Sequence, residues 1–310
     1  KKGETMSKDK TRRIMQKGGG EARFAYGMIA PMMLMFCCFG LFPVLYSLYL
    51  SFRSLKLNTA AAEHFVGFEN YIRAFSDEVF LQSLPKTVYF VLLLIVGSIV
   101  LGMCFALLVN ARCVHAKQMM ILLGLLPWAI PRVVSGLMWD WIFDGNYGIL
   151  NYVCKSLGLI DNYQWWFTFG PYTSLTLCAI VEIWRLSPFV ALMFYAGLQN
   201  VPRTLYESAE IDGATGFRSF IHVTIPSLQP VLLTSSILIT TWALKTFDTI
   251  RVLTSGGPGT DTTLTYLYVY QQAFSYQNIS YASALGWLFA LVIGVIIILY
   301  IRVLGRDNTQ

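Results

Sequence analysis

The sequence predicts an all-α membrane protein with six transmembrane helices and both termini in the cytoplasm. Of its 310 residues, 55% are apolar and only 13% are charged, and the mean hydropathy is +0.56. Soluble domains carry about a quarter charged residues. Apolar runs long enough to cross a bilayer core of about 30 Å as a helix recur along the chain. These observations exclude a soluble globular domain.

The chain begins with a basic segment and a long apolar run. Residues 1–23 carry eight Lys or Arg residues and the run Gly18-Gly19-Gly20, which predicts a flexible cytoplasmic tail. The apolar run at residues 24–52 is far longer than the ~7–15 residues of a signal-peptide core. It therefore predicts the first transmembrane helix. Residues 53–86 are polar with balanced charge and predict an external loop.

Five further spans make up the predicted core at residues 87–301. Their predicted bounds are residues 87–110, 119–142, 173–199, 226–250 and 281–301. Pro127 and Pro131 predict a kink in the third span, because proline has no amide hydrogen to donate. Apolar residues at helical spacing within residues 149–157, followed by two tryptophans, predict an external helix that lies flat on the membrane. Residues 302–310 form the predicted cytoplasmic end.

The sixth span also carries small residues at intervals of four. They are Ala282, Gly286, Ala290 and Gly294. Such a ridge allows a second helix to approach closely.

The distribution of positive charge predicts the orientation in the membrane. Six spans place both termini on one side, which carries fourteen Lys and Arg residues against six on the other. The positive-inside rule then places the termini and the loop at residues 203–226 in the cytoplasm. Topology and anionic lipid account for the net charge of +6, so no nucleic-acid partner is expected.

The loop at residues 203–226 is a polar island between the fourth and fifth spans. Pro202 suits the first turn of a helix, and Gly213 can adopt the left-handed conformation that ends one. A short helix, a tight turn and a second short helix are therefore predicted. The loop carries an apolar stripe of Leu205, Ala209, Phe217, Phe220 and Ile221. A partner is expected to cover this stripe, because it lies outside the bilayer.

The same loop carries a recognisable motif. Glu207-Ser208-Ala209 is followed after three residues by Gly213 and after nine more by Val223-Thr224-Ile225-Pro226. This pattern closely resembles the EAA loop of the inner-membrane subunits of binding-protein-dependent ABC importers, with Ser208 at the position of the second alanine.

Two further segments resemble the carbohydrate branch of that family. Val66-Gly67-Phe68-Glu69-Asn70-Tyr71 resembles the VGxxNY segment that follows the first helix in sugar permeases. Thr254-Ser255-Gly256-Gly257-Pro258-Gly259 resembles the GGP turn found at the same place in carbohydrate permeases.

The resemblance implies a type I ABC importer permease that sits in the bacterial inner membrane and translocates a sugar or oligosaccharide. Its implied partners are a second, homologous permease subunit, two cytoplasmic ATPases and an extracytoplasmic sugar-binding protein. ATP and Mg²⁺ would bind in the ATPases, which would dock on the loop in a helix-in-groove contact. The residues carried over for this coupling are Glu207, Ser208, Ala209, Asp212, Gly213 and Pro226.

The chain has no catalytic motif of its own. It contains no GxxxxGK[ST] phosphate-binding loop, no HExxH and no GxSxG, and its six cysteines are scattered without metal-ligand spacing. We therefore expect neither an enzyme nor a cofactor or metal in this chain, and no disulfide.

Charges within the predicted spans require a reason, because each costs at least ~2.5 kcal/mol on insertion scales. Glu182 and Arg185 are three residues apart on the fourth span, as are Lys245 and Asp248 on the fifth, so each pair could neutralise itself on one helix face. The alternative is a hydrophilic substrate path in which aromatic rings face the sugar. Its candidate residues are Trp128, Arg132, Glu182, Arg185, Tyr195, Trp242, Lys245 and Asp248.

Two alternatives stay open from the sequence. The importer could carry an acidic oligosaccharide such as a uronate, or a sugar phosphate, with Arg132, Arg185 and Lys245 partly unpaired and directed at the acidic groups. A stand-alone secondary transporter or channel is the second alternative. It would usually need an internal repeat, and none is convincing between the first three and the last three spans.

Overall fold

The structure is a computed structural model that describes residue 24 and residues 26–57, 63–111 and 116–304. The predicted tail at residues 1–23 lies outside the described residues, as do the middle of the loop after the second span and the chain from residue 305 onward. The described part is mostly helical, as predicted.

Four helices are long and apolar enough to cross a membrane. They are α1 (Tyr26–Ser51), α3 (Glu78–Asn110), α8 (Pro171–Gln199) and α14 (Ile279–Leu304). Two pairs of shorter, bent helices pass the same test when each pair is taken as one span. The described residues therefore hold four to six candidate spans, in agreement with the predicted membrane fold.

The third span is broken as predicted. It consists of α4 (Lys117–Gly124), α5 (Leu126–Ala129) and α6 (Arg132–Phe143), and the chain bends by 91° between α5 and α6. Pro131 cannot donate the helical hydrogen bond to the carbonyl of Pro127, and it restricts Ile130 to an extended conformation with ψ of 131°. These two effects end one helix and start the next.

The fifth span was predicted as one segment over residues 226–250, and this prediction is wrong at both ends. Helix α10 (Gly216–Ser227) is followed by α11 (Gln229–Leu244) after a bend of 67°. Pro226 and Pro230 are four residues apart, so the helical hydrogen bond between them cannot form. At the other end, the amides of Lys245 and Thr246 each bond to a carbonyl three residues back, which tightens and ends the helix.

The remaining elements are short. They are strand β1 (Arg53–Ser54), strand β2 (His64–Phe65), α2 (Glu69–Ala74), α7 (Ile149–Ser156), α9 (Arg203–Ile211), α12 (Asp248–Leu253) and α13 (Thr265–Tyr270). The two strands pair antiparallel. Helix α7 occupies the segment for which a flat external helix was predicted. Its position relative to a membrane stays a prediction.

The centre of the molecule is the packing of α3 against α8, the most extensive helix contact in the described chain. Close approach is possible because Gly97 of α3 has no side chain: a Cβ there would lie 2.4 Å from the Cδ1 of Ile183. The adjacent layer contains fully buried Leu94, Leu175 and Phe194. A glycine on α3 thus allows this close helix contact, a role that the sequence suggested for small residues of the sixth span.

The predicted small-residue ridge of the sixth span is used only in part. Ala282 is buried, and a Cβ on Gly286 would make an ordinary contact at 3.9 Å with Val269. Ala290 is exposed and a Cβ on Gly294 would meet nothing within 4 Å. The second half of the ridge therefore lies open in this structure.

The segment after the first span folds back onto the end of α1. The Nδ2 of Asn70 donates to the carbonyls of Ser51 and Arg53 at 2.9 and 2.8 Å, and the hydroxyls of Tyr71 and Ser51 lie 2.7 Å apart. Asn70 and Tyr71 belong to the segment that resembles VGxxNY. These contacts give the two residues a structural role in fixing the exit of α1.

A half-buried carboxylate joins three elements at this end of the molecule. Asp77 caps α3, since its Oδ1 accepts the amide of Phe80 at 3.1 Å. Its Oδ2 accepts the hydroxyls of Tyr268 and Tyr281, both at 2.6 Å. Burial alone would raise the pKa of Asp77, but the bonds from the two tyrosines and from backbone amides outweigh it and lower the pKa below the ordinary value. Asp77 is therefore held as a carboxylate that links α3 to α13 and α14.

We predict that Asp77→Ala destabilises the protein by about 3 kcal/mol, because three hydrogen bonds to a charged acceptor are lost together. The measurement is denaturant unfolding in detergent. Since the pKa of Asp77 is lowered on folding, its stabilising effect is present above pH ~4 and is lost as the pH falls through its folded value. The gap between wild type and variant should therefore close in acid.

The matched control is Glu78→Gln, which removes the neighbouring exposed carboxylate at the same helix start. A loss of stability as large as that of Asp77→Ala would contradict the assigned role. So would a gap between wild type and Asp77→Ala that does not change with pH.

Candidate functional site

Two regions hold the residues that the sequence singled out. The first is an exposed pair of helices, α9 and α10, which we name the α9–α10 hairpin (residues 203–227). The second is a set of charged and aromatic side chains on α5, α6, α8, α11 and α12.

The hairpin has the predicted helix, turn and helix. Pro202 lies immediately before α9, in an extended conformation with ψ of 133°. It therefore caps the helix and does not occupy the first turn, for which the sequence suited it. Gly213 has a φ of +77°, which confirms the predicted left-handed turn. The backbone amide of Gly213 donates to the carbonyl of Glu210 at 3.0 Å, and the backbone amide of Ala214 donates to the carbonyl of Ala209 at 2.9 Å. These two bonds form a Schellman cap, in which only glycine avoids strain at the left-handed position.

Contacts at the second helix fix the hairpin to the rest of the molecule. Within the hairpin, the Tyr206 hydroxyl of α9 lies 3.1 Å from the Oγ1 of buried Thr224 of α10, which ties the two helices together. Phe220 is half-buried and packs against the main core. Phe220 was predicted to belong to the stripe that a partner covers, and its core contact instead gives it an anchoring role. The α10 half of the hairpin is therefore tied to the main core.

The tip of the hairpin presents apolar side chains without a covering element in the described chain. Ile211 is 86% exposed and Phe217 73% exposed. Of the predicted coupling residues, Glu207, Ser208, Asp212, Gly213 and Pro226 are exposed and Ala209 is half-buried. An apolar tip bordered by Glu207, Glu210 and Asp212 is typical of a protein-binding surface.

A polar cavity of about 440 Å³ lies behind the hairpin, between α9 and the adjoining ends of α3, α4 and α8. Asn110 and Lys117 line one side, and Arg203, Glu207 and Glu210 line the other. No side chain of the described residues fills this space, and within them α9 contacts the helical bundle mainly through α10. The first helix of the hairpin has room to shift relative to the ends of α3 and α8.

The charged pair of the fourth span is confirmed as an ion pair. Arg185 donates from Nη2 and Nε to the Oε2 of Glu182 at 2.8 and 3.2 Å. The other carboxylate oxygen of Glu182 accepts a hydrogen bond from Thr249 of α12. Glu182 is 0% exposed and Arg185 6% exposed. The pair therefore neutralises itself inside the protein and connects α8 to α12.

The sequence did not identify Thr249. A threonine in an apolar segment gives no signal of its own partner, since its hydroxyl can equally bond to the carbonyl four residues back. Its contact with Glu182 depends on how α12 packs beside α8.

The second predicted pair is wrong. Lys245 and Asp248 do not lie on one helix face, because α11 ends at Leu244 and α12 begins at Asp248. Within the described chain they form no ion pair. Lys245 is exposed and Asp248 is half-buried. The helix break that the sequence did not predict separates them.

Three aromatic rings from three helices form a continuous row. Trp128 of α5 stacks on Phe189 of α8 with ring centres 5.1 Å apart, and Phe189 meets Trp242 of α11 edge-on at 5.2 Å. All three are at least partly exposed. The sequence singled out both tryptophans but missed Phe189, because nothing in a phenylalanine after a proline separates it from a lipid-facing residue.

The other path candidates are spread around this row. Arg132 is half-buried in the first turn of α6 and makes no hydrogen bond or ion pair within the described chain. Tyr195 is half-buried against the main core. The described residues contain no group of three or more His, Cys, Asp and Glu side chains placed to hold a metal ion.

The buried pair gives a prediction for stability. Glu182→Gln leaves the Arg185 guanidinium buried without a counter-charge, which should cost about 3 to 5 kcal/mol in the free energy of unfolding. The double variant Glu182→Met with Arg185→Met should recover most of that loss, since it leaves no unpaired charge in the core. Unfolding by titration with a denaturing detergent measures both effects.

Lys245→Met serves as the control, because it removes an exposed cation that has no ion-pair partner in the described chain. Its effect should stay within about 0.5 kcal/mol. If Glu182→Gln were as stable as wild type, the pair would have no structural role.

Comparisons with known proteins agree with these features. Residues 79–308 match the family described as binding-protein-dependent transport system inner membrane component. The sulfoquinovosyl glycerol transport system permease protein SmoG of Agrobacterium fabrum is 35% identical, over 93% of this chain and 92% of that protein. The trehalose/maltose transport system permease protein MalF of Thermococcus litoralis is also 35% identical, over 92% and 95%.

A solved structure shows the same fold. It is a chain of a bacterial alginate ABC transporter in complex with an alginate pentasaccharide-bound periplasmic protein, and it aligns with a TM-score of 0.80. The alignment covers 95% of this chain and 98% of that one at 21% sequence identity.

Proposed function

Because this chain belongs to the family of binding-protein-dependent transport system inner membrane components, the membrane subunits of ABC importers, we propose that it moves a saccharide across the bacterial inner membrane. The saccharide would be delivered by an extracytoplasmic binding protein. Two relatives, each covering more than nine-tenths of the chain, are named as permeases for a glycosylated glycerol and for trehalose and maltose. Family membership also favours the importer over the stand-alone transporter.

The observation that carries the coupling role is the uncovered tip of the α9–α10 hairpin. Ile211 and Phe217 are among the most exposed large apolar side chains in the described chain, and acidic residues surround them. We infer that a cytoplasmic ATPase covers this tip, and that one further ATPase serves a second, homologous permease subunit. ATP and Mg²⁺ would bind in those ATPases, so hydrolysis takes place outside this chain. The positive-inside rule supports a cytoplasmic hairpin.

The structure suggests how motion of the ATPase reaches the membrane. The hairpin is anchored through Phe220, which packs against the main core, while no described side chain fills the polar cavity behind α9, so that helix has room to shift. A movement of the tip would therefore turn α10 about its 67° junction with α11. ATP binding needs to favour one of two arrangements by only a few kcal/mol to reverse their populations.

The aromatic row is our candidate for the sugar-facing part of the path. Trp128, Phe189 and Trp242 come from three helices that must move relative to one another in an alternating-access cycle. Aromatic faces suit the apolar faces of sugar rings. Arg132 has no partner in the described chain and could meet a polar group of the substrate, whereas Arg185 is buried and paired with Glu182. Of the path residues predicted from the sequence, the proposed path retains Trp128, Arg132 and Trp242.

Co-purification and reconstitution test the proposed function. The chain is expressed together with its companion permease and ATPase and purified in detergent, then placed in lipid nanodiscs with the binding protein. We expect the ATPase to remain bound to the chain, and saccharide-loaded binding protein to stimulate ATP hydrolysis. Transport of a saccharide by the chain without any ATPase would overturn the proposal.

We further predict that Gly213→Val uncouples the importer. A side chain in the left-handed region costs roughly 1–2 kcal/mol, and more for a β-branched residue, so the turn would open and α9 would leave its angle. ATP hydrolysis stimulated by loaded binding protein should fall about tenfold or more in the reconstituted complex.

Gly216→Val is the matched control. A Cβ at either glycine meets nothing within 4 Å, but only Gly213 has a positive φ. The control should therefore hydrolyse ATP nearly as well as wild type. Normal stimulation in Gly213→Val, or an equal loss in both variants, would contradict the role of the turn.

A further inference from the structure

A second polar cavity lies at the opposite end of α3 from the α9–α10 hairpin. Its volume is about 460 Å³, and we name it the outer cavity. Its walls come from the start of α3, the loop that resembles the GGP turn, and the segment between α13 and α14. The hairpin cavity contains Asn110 at the end of α3 and the outer cavity contains Val79 near its start, roughly 45 Å apart along a helix at 1.5 Å per residue. If the hairpin faces the cytoplasm, this cavity faces the outside.

Two nearly buried amide side chains line the outer cavity with unused hydrogen-bonding groups. Gln272 and Asn278 are each 7% exposed. Gln272 donates from Nε2 to the Tyr268 hydroxyl at 2.8 Å, and Asn278 accepts the amide of Tyr281 through Oδ1. Their other amide atoms, Oε1 of Gln272 and Nδ2 of Asn278, make no hydrogen bond within the described chain. Neither atom is a buried atom without a partner, so solvent reaches both from the cavity, and a ligand in the cavity could take the place of that water.

These groups are held rigidly before any ligand binds. Asp77 accepts both the Tyr268 and Tyr281 hydroxyls, and Tyr268 in turn positions Gln272. The backbone amide of Asn278 donates to the backbone carbonyl of Gln272 at 2.8 Å, which fixes the positions of the two residues relative to each other. Preorganised groups lose little freedom on binding, which favours affinity.

Positive charge dominates the cavity wall. Arg73 and Lys56 line it, and none of the lining residues is Asp or Glu. The guanidinium of Arg73 lies 4.2 Å from the ring centre of Tyr281 and has no carboxylate partner within 4 Å in the described chain. Stacking occupies one face of the guanidinium, so its N–H edge remains available for a bidentate contact with an acidic group.

We propose that the outer cavity binds an acidic saccharide. A sugar hydroxyl both donates and accepts, so a pair of hydroxyls satisfies Gln272 and Asn278, while Arg73 binds the acidic group. The rings of Tyr268 and Tyr276 supply walls for the sugar. The volume falls in the range of about 300 to 1,000 Å³ typical of small-molecule pockets. This inference rests on the proposed function, since it takes the cargo to be a saccharide that arrives at this face.

Direct binding to the assembled importer tests the site. The chain, its companion permease and its ATPase are placed in nanodiscs without the binding protein. The probes are a uronic acid disaccharide and the same disaccharide with its carboxyl groups reduced to alcohols, titrated by calorimetry. We expect the acidic probe to bind about tenfold more tightly than the reduced one, as a charge-assisted contact predicts.

Variants separate this site from general electrostatic attraction. Arg73→Gln should remove the preference for the acidic probe, and Arg73→Lys should keep part of it. Lys155→Gln is the control, because Lys155 is a cation outside the cavity on the same predicted side of the membrane. Equal binding of both probes to wild type would overturn the proposal, as would an equal loss in Lys155→Gln.

The remaining outcomes identify which claim has failed. If Arg73→Gln weakens docking of the binding protein but not saccharide binding, the cavity is a protein contact and the saccharide site is wrong. If the ATPase co-purifies and is stimulated while neither probe binds, only this inference fails. If no ATPase associates with the chain, the proposed function fails.

Discussion

The contact between α3 and α8 is the constraint on which the rest of the structure depends. Hydrocarbon gives no hydrophobic advantage to one helix pairing over another, so close packing must decide which helices associate. Gly97 lets the two backbones approach, and fully buried side chains such as Leu94 and Phe194 fill the layer around it. Helices α5, α11 and α12 then pack against this pair. The hairpin continues directly from α8 at one end, and the outer cavity is built on the start of α3 at the other.

Two hydrogen-bonded carboxylates specify how the helices of this apolar bundle are arranged. Near its centre, Glu182 satisfies Arg185 on its own helix and Thr249 on α12, which fixes the short helix that follows the break in the fifth span. At its outer end, Asp77 satisfies two tyrosines from α13 and α14. A carboxylate removed fully or partly from water is costly unless its oxygens have donors, so buried Glu182 and half-buried Asp77 each favour one arrangement of the helices around them. Both connect elements that are far apart in sequence.

The same architecture separates rigid from movable parts. The outer end is tied by Asp77 and by the contacts of Asn70 and Tyr71, and its polar cavity has preorganised walls. The opposite end presents a hairpin that is anchored on one side and faces an unfilled polar cavity on the other. The proposed importer, which would receive cargo at one end and force at the other, requires this distribution of stiffness. The bends at Pro131 and Leu228 lie between the two ends, where the helices must change their relative angles.

The sequence by itself determined the membrane class, the break at Pro127 and Pro131, the left-handed turn at Gly213 and the pairing of Glu182 with Arg185. The membrane class follows from composition and long apolar runs, and the other three depend on residues within about four positions of one another, where local backbone geometry decides the outcome. Only the tertiary structure decided that Thr249 joins the pair of Glu182 and Arg185, and that Lys245 and Asp248 are separated. It also decided that Phe189 lies between two tryptophans, and that Arg73, Gln272 and Asn278 line one cavity. Those arrangements depend on how different helices pack, and a local sequence pattern does not indicate which helices pack together.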